Sequence, residues 1–307
     1  MRKKYIEENI IITSDFDGLG LDALLYIPEN VKGIVQIAHG MAEHKERYIP
    51  FLEEITRRGF VACIHDHRGH GKSVKSSDDL GYFYDNTGEA IVEDVHQISL
   101  YLKNRFKDVP LYLFGHSMGS LIVRAYTRKY DNDIDKLIVC GSPSANPLAN
   151  AAIALIDSNA LVKGDRYISK TITAMSVGGF NKAFEAEGEN AWLSKMKQNV
   201  IDFNNDPLCG FPFTLNGYRN LIILLKNAYA KDGWAMNNPN LPIFFISGSE
   251  DPCAGGRTKW NEAIEDMKSH GYTNVKGKMY EGFRHEILNE VISDRVMDDV
   301  LDFIEEQ

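Results

Sequence analysis

Leu111-Tyr112-Leu113-Phe114-Gly115-His116-Ser117-Met118-Gly119 is the stretch on which the reading of this chain turns. An apolar run of strand character enters G-x-S-x-G without a linker, and Leu121 to Tyr130 continues with helical character. A strand that feeds straight into a helix must bend sharply at the residue between them, and small residues two before and two after the serine permit the close backbone approach. The bend lifts Ser117 Oγ to the carboxyl edge of a sheet, before a helix N-terminus whose amides favour a developing anion. The stretch predicts a nucleophilic serine, against the plainer reading of a glycine-rich turn.

On both sides of it, short β-branched runs alternate with helical patterns, the signature of a mostly parallel sheet. Ile10 to Thr13 and Leu21 to Ile27 flank the turn Asp15-Phe16-Asp17-Gly18 and read as an opening pair. Further strands are expected at Gly33 to Ala38, Phe60 to His65, Leu137 to Cys140, Ile243 to Ser247 and Val275 to Tyr280. Most are nearly continuous apolar runs, as strands covered on both faces should be. Ile91, Val95, Ile98 and Leu102 recur at helical spacing, as do Leu288, Val291, Ile292, Val296, Val300 and Ile304. On that last helix Asp294, Asp298, Asp302 and Glu305 are read as a solvated face.

The alternation stops between about Pro143 and Ala230. The expected organisation is therefore a core domain formed by 1–142 and 231–307, with 143–230 inserted as a cap. Its aromatics (Phe180, Phe184, Trp192, Phe203, Phe211, Phe213, Tyr218) are candidates either for lining an acyl pocket or for plain core.

A net charge of -9 argues against nucleic acid or an anionic membrane surface as the main partner, since both reward clustered Lys and Arg. The N-terminal run Arg2-Lys3-Lys4 is followed by Glu7, Glu8 and Asn9 in place of an apolar signal core, so the chain is expected to be unprocessed and cytoplasmic. No apolar run approaches the roughly 20 residues that span a bilayer. Any contact with lipid aggregates is expected to be transient. Cys63, Cys140, Cys209 and Cys253 are scattered and read as free thiols, Cys253 as structural despite standing near a candidate acid.

A serine hydroxyl needs a base, and the base needs an orienting carboxylate; on such a scaffold the three follow in the order Ser, Asp, His. Gly248-Ser249-Glu250-Asp251-Pro252 follows the Ile243 strand, and Glu281-Gly282-Phe283-Arg284-His285-Glu286 follows the last one. Asp251 is preferred to Glu250 because the next residue, Pro252, fixes the turn, and Glu250 stays as the alternative. His285 is the expected base, in proton-transfer reach of Ser117. The oxyanion is assigned to two backbone N–H groups, that of Met118 after the nucleophile and that of Met41 in His39-Gly40-Met41. His39 and His116 are read as structural or supporting groups. His65-Asp66-His67-Arg68-Gly69-His70 invites a metal reading, but no further ligand cluster supports it. Gly71-Lys72-Ser73 fails as a phosphate loop, because Asp66 stands where its first glycine is required.

His39-Gly40-Met41-Ala42-Glu43-His44 with Arg47-Tyr48, Asp66-His67-Arg68-Gly69-His70-Gly71-Lys72-Ser73, Gly115-His116-Ser117-Met118-Gly119-Ser120, Asn205-Asp206-Pro207-Leu208, Gly248-Ser249-Glu250-Asp251-Pro252 and Arg284-His285-Glu286 together resemble the monoacylglycerol lipase and lysophospholipase group of α/β-hydrolases, a serine aminopeptidase S33-like group. The resemblance implies an α/β-hydrolase fold, a triad of Ser117, Asp251 and His285, Met41 in the oxyanion hole, a helical cap that admits an acyl chain, and no cofactor. The cap departs from the family outside its Asp206-Pro207 block, and Cys253 replaces an aliphatic residue, which leaves the substrate open. The expected activity is hydrolysis of carboxylic esters, with a small-molecule acyl ester as partner. An aminopeptidase or amidase, with Glu185, Glu187 or Glu189 holding a substrate amine, is the rival enzyme; a non-catalytic ligand receptor on the same fold is the third reading.

Overall fold

The computed structural model describes residues 5–306; Arg2-Lys3-Lys4 lies outside them. Eight strands form one sheet: β1 (Tyr5–Thr13), β2 (Gly20–Pro28), β3 (Ile34–Ala38), β4 (Val61–His65), β5 (Leu111–His116), β6 (Lys136–Cys140), β7 (Ile243–Gly248) and β8 (Val275–Tyr280). Their order is β1-β2-β4-β3-β5-β6-β7-β8. The β1–β2 and β2–β4 pairs are antiparallel, and every pair from β4 to β8 is parallel.

Each apolar strand run serves two cores because successive side chains leave opposite faces of the sheet. Leu111 and Leu113 enter one apolar cluster while Tyr112 and Phe114 enter the other. The first face is covered by α2 (Ala90–Arg105), α3 (Met118–Tyr130) and α8 (Gly256–Ser269), the second by α1 (Ile49–Arg57) and α9 (Ser293–Glu305). Ile91, Val95, Ile98 and Leu102 are buried along α2, as their spacing predicts. The last helix begins later than its apolar pattern suggests. Leu288 sits in a short 3-10 turn at Ile287–Asn289, and α9 starts only at Ser293. Asp294, Asp298, Asp302 and Glu305 are exposed on its outer face.

Between β6 and β7 run α4 (Ala149–Lys163), α5 (Lys170–Ser176), α6 (Lys197–Asn205) and α7 (Leu215–Ala228). They do not pack alike. Leu215, Tyr218, Leu224 and Ala228 of α7 join the main core beside α3, whereas α4 leaves Leu155, Leu161 and Val162 exposed. Among the described residues no helix is long and apolar enough to cross a membrane. All four cysteines are buried free thiols.

Candidate active site

Four strand ends converge at the carboxyl edge of the sheet, where open α/β sheets place their ligands. At the end of β5, Ser117 has φ 54° and ψ −118°. That left-handed backbone is rare for a residue with a side chain and stores about 1–3 kcal/mol of strain. The sheet keeps it there: Ser117 N–H donates to the Cys140 carbonyl at 2.9 Å, and the Ser120 amide and hydroxyl donate to the Ser117 carbonyl at 2.9 and 2.5 Å. The flanking glycines are required by close approach. A Cβ on Gly115 would lie 2.3 Å from the Gly119 carbonyl oxygen, and one on Gly119 would lie 2.0 Å from that of Ala38.

Asp251, beyond β7, is buried. Its carboxylate accepts from Cys253 N–H at 2.9 Å and Ser247 Oγ at 3.1 Å. It faces His285, beyond β8, whose Nδ1 lies 2.9 Å from both of its oxygens. Burial alone would lower the His285 pKa, but the Asp251 charge and hydrogen bond outweigh it and the net shift is upward. Glu250 points elsewhere and pairs with Lys195 at 3.0 Å on the surface. With Nδ1 committed to Asp251, Nε2 is the ring nitrogen left for a reacting partner. The Ser117 hydroxyl is not hydrogen-bonded to the ring here. Such bonds often tighten only with substrate.

Ser117, His285, Met41 and Met118 line one cavity of about 880 Å³. Met118 opens α3, so its amide has no acceptor one turn back. The loop bearing Met41 is held by Glu43, whose carboxylate accepts from Gly40 N–H at 2.5 Å, from the Tyr48 hydroxyl at 2.9 Å and from Arg47 Nη1 at 2.6 Å. Burial would raise the Glu43 pKa, yet Arg47 and His116 hold it well below the usual carboxylate range. Arg47 then bridges to Glu286 through Nη1 at 2.8 Å and Nη2 at 2.7 Å. His116 closes the circuit, with Nδ1 3.0 Å from the Tyr48 hydroxyl and Nε2 donating to the His285 carbonyl at 3.3 Å. A buried chain of charges thus connects the Met41 loop to the His285 loop. His39 supports the same loop: Nδ1 donates to the Gly40 carbonyl at 2.8 Å and Nε2 accepts from His67 N–H at 3.0 Å.

The insertion supplies the remaining walls. Trp192 lays its ring 4.9 Å from that of His285, and Leu193 accepts from Glu286 N–H at 2.8 Å. Phe180, Phe203, Phe211 and Tyr218 also reach the cavity. Phe184 and Phe213 do not: Phe184 stacks under the Arg284 guanidinium at 4.1 Å, and Phe213 is wholly core. Of the cap acids, Glu187 is taken by Arg284 at 2.6 Å, while Glu189 lines the cavity. Cys253 lines it too, and burial beside Asp251 pushes its thiol well above the usual range, which suits an inert packing group. His39, His65, His67 and His70 form one buried cluster of tilted and edge-on rings, with neighbouring ring centroids 4.2 to 6.3 Å apart.

Missing from the sequence reading are the roles of Glu43, Arg47, Tyr48, Glu286 and Arg284, whereas Trp192, a candidate pocket-lining aromatic, does line the cavity. Arg47 and Glu286 stand 239 residues apart, so no local spacing links them.

A mostly parallel sheet with a strained serine between strand and helix and a His–Asp pair at two later strand ends defines an α/β-hydrolase. Within that class the chain belongs to the serine aminopeptidase, S33 family, which matches residues 29–292. It is 25% identical over 279 residues to the monoacylglycerol lipase of Mycolicibacterium smegmatis, covering 89% of this chain and 88% of that one. It is 27% identical over 269 residues to the monoglyceride lipase of Mus musculus, covering 85% and 77%. A highly thermostable carboxyl esterase from Bacillus coagulans, solved in complex with glycerol, matches with a TM-score of 0.88 at 27% identity over 97% of both chains.

Proposed function

We propose that this chain is a carboxylic ester hydrolase that cleaves acyl esters of the monoacylglycerol or lysophospholipid kind through Ser117, His285 and Asp251. The observation that carries the reading is the shared cavity, in which Ser117, His285 and the Met41 and Met118 residues face a pocket walled by Ile156, Ile172, Leu221, Ile222 and Leu225. Its volume falls in the range typical of small-molecule sites, and its walls suit an acyl chain.

His285 Nε2 takes the proton of the Ser117 hydroxyl as Oγ bonds to the ester carbonyl carbon. The carbonyl oxygen becomes an oxyanion and accepts from the amides of Met41 and Met118. Collapse breaks the bond to the alcohol oxygen, which leaves with the proton from Nε2. Water, deprotonated by the same nitrogen, then attacks the acyl carbon; the acid departs and Ser117 regains its proton. Asp251 holds Nδ1–H so that Nε2 remains the basic nitrogen throughout.

The test is fluorophosphonate labelling with a substrate panel of short p-nitrophenyl esters, monoacylglycerols, lysophospholipids and amino-acid anilides. Labelling and ester turnover are expected in the native chain and neither in folded Ser117→Ala. Ester cleavage by that variant would overturn the mechanism, and a preference for anilides would move the activity to the amidase reading that Glu189 at the cavity wall leaves open.

A further inference from the structure

Where residues 206–210 of the insertion cross the loop after β3, His44, Asp206 and Cys209 each present one donor atom within 4.8 Å of the other two. None of them takes part in the acyl chemistry above. His44 Nε2 lies 2.9 Å from Asp206 Oδ2, and its Nδ1 lies 2.7 Å from Glu46 Oε2. The second contact is the arrangement in which a carboxylate fixes the tautomer of a metal-bound imidazole and raises its basicity. With Nδ1–H given to Glu46, Nε2 shares a proton with Asp206 in the ion-free chain, and once that proton leaves, its lone pair faces Asp206 and Cys209.

The backbone around these donors is already held. Leu208 N–H donates to Asp206 Oδ1 at 2.8 Å, which reserves Oδ2, and Gly210 N–H donates to the Ala42 carbonyl at 2.9 Å. His44 and Cys209 are buried, whereas the Asp206 side chain is about a third exposed, so an ion has an entrance and room for a water. An imidazole, a thiolate and a carboxylate together suit zinc; calcium and magnesium call for oxygen ligands alone. Zinc bonds of about 2.0–2.3 Å require donors roughly 3.3–3.8 Å apart in a tetrahedron, within reach of small side-chain rotations here.

We propose that His44 Nε2, Asp206 Oδ2 and Cys209 Sγ form a zinc site, completed by water, that clamps the insertion onto the loop carrying Met41. Binding expels the Cys209 thiol proton and the proton between His44 and Asp206, so two protons leave for each ion bound. The clamp requires nothing of the ester-hydrolase reading and is tested apart from it.

The full chain, stripped with a chelator, is titrated with Co²⁺ as a spectroscopic stand-in, then with Zn²⁺ against a chromophoric chelator. One ion per chain is expected, with a near-ultraviolet thiolate-to-cobalt band that disappears in Cys209→Ser and persists in Cys253→Ser. The second variant is needed because Asp251, Cys253 and His285 are the other such cluster among the described residues. Glu46→Gln should weaken zinc about 10- to 100-fold. Should Cys209→Ser fail to fold, Asp206→Asn decides, with at least a tenfold loss of zinc affinity expected. No thiolate band in the native chain, a band that survives Cys209→Ser, or unchanged zinc affinity in Asp206→Asn would overturn the site.

Discussion

Ser117 is held in a backbone conformation that a glycine would adopt freely, so its side chain is retained at the expense of local stability. Two inactive variants separate the terms. Ser117→Gly should be more stable than Ser117→Ala by about 1 kcal/mol in denaturant unfolding, since only glycine relieves the strain; equal stabilities would mean the bend is unstrained. His285 gives the matching test of electrostatics. It acts only when neutral, and Asp251 raises its pKa above the ordinary value of about 6.5. The acid limb of kcat/KM should therefore lie above about pH 6.5, with activity lost as pH falls through it. Asp251→Asn should move that limb to lower pH and reduce kcat by about 10⁴. A native limb at or below the ordinary value would separate His285 from Asp251 in function.

At the scale of elements, the strands were readable because β3 to β7 are covered on both faces and so are written as nearly continuous apolar runs. Ser117, Asp251 and His285 were readable for a related reason: each follows a strand by only a few residues, so strand order alone brings them to one edge. The insertion was less legible. Its helices are half-exposed and share faces with the cavity, which blurs the apolar period, and α7 packs both against α4 of the insertion and against α3 of the core. Arg47 stood in a quoted motif, but its role was not legible because its partners come from the loop after β3 and from the loop beyond β8. Arg47→Met strands two buried carboxylates, Glu43 and Glu286, and should destabilise the fold by about 3–5 kcal/mol. Since the Met41 and His285 loops lose their common tie, kcat should fall more than KM rises. A KM effect alone, measured at a temperature where the variant is folded, would mean the tie does not position the reacting groups.

Across the whole molecule the four clustered histidines contribute to the response to acid. Burial lowers His39 to about 4, His65 and His70 to about 3, and His67 well below its ordinary value. In the unfolded chain they titrate near 6.5. The unfolded state therefore binds more protons below about pH 6.5, so stability present above that pH is lost as pH falls toward the folded values, by up to about 1.4 kcal/mol per pH unit for each imidazole. Thermal midpoints recorded from pH 7 to pH 4 should drop steeply, and His65→Gln should flatten the drop. An acid-insensitive midpoint would mean these rings are not buried neutral.

The insertion leaves the sheet after β6 and returns at β7, and those two strands are direct neighbours in register. Because the two strands are parallel, the chain departs at the carboxyl edge of the sheet and α7 with the segment after it carries the chain back to the opposite edge, so the stretch before α7 can grow, shrink or be exchanged without displacing a single strand partner. Descendants of this scaffold are thereby free to vary what they admit while inheriting an unaltered engine beneath it.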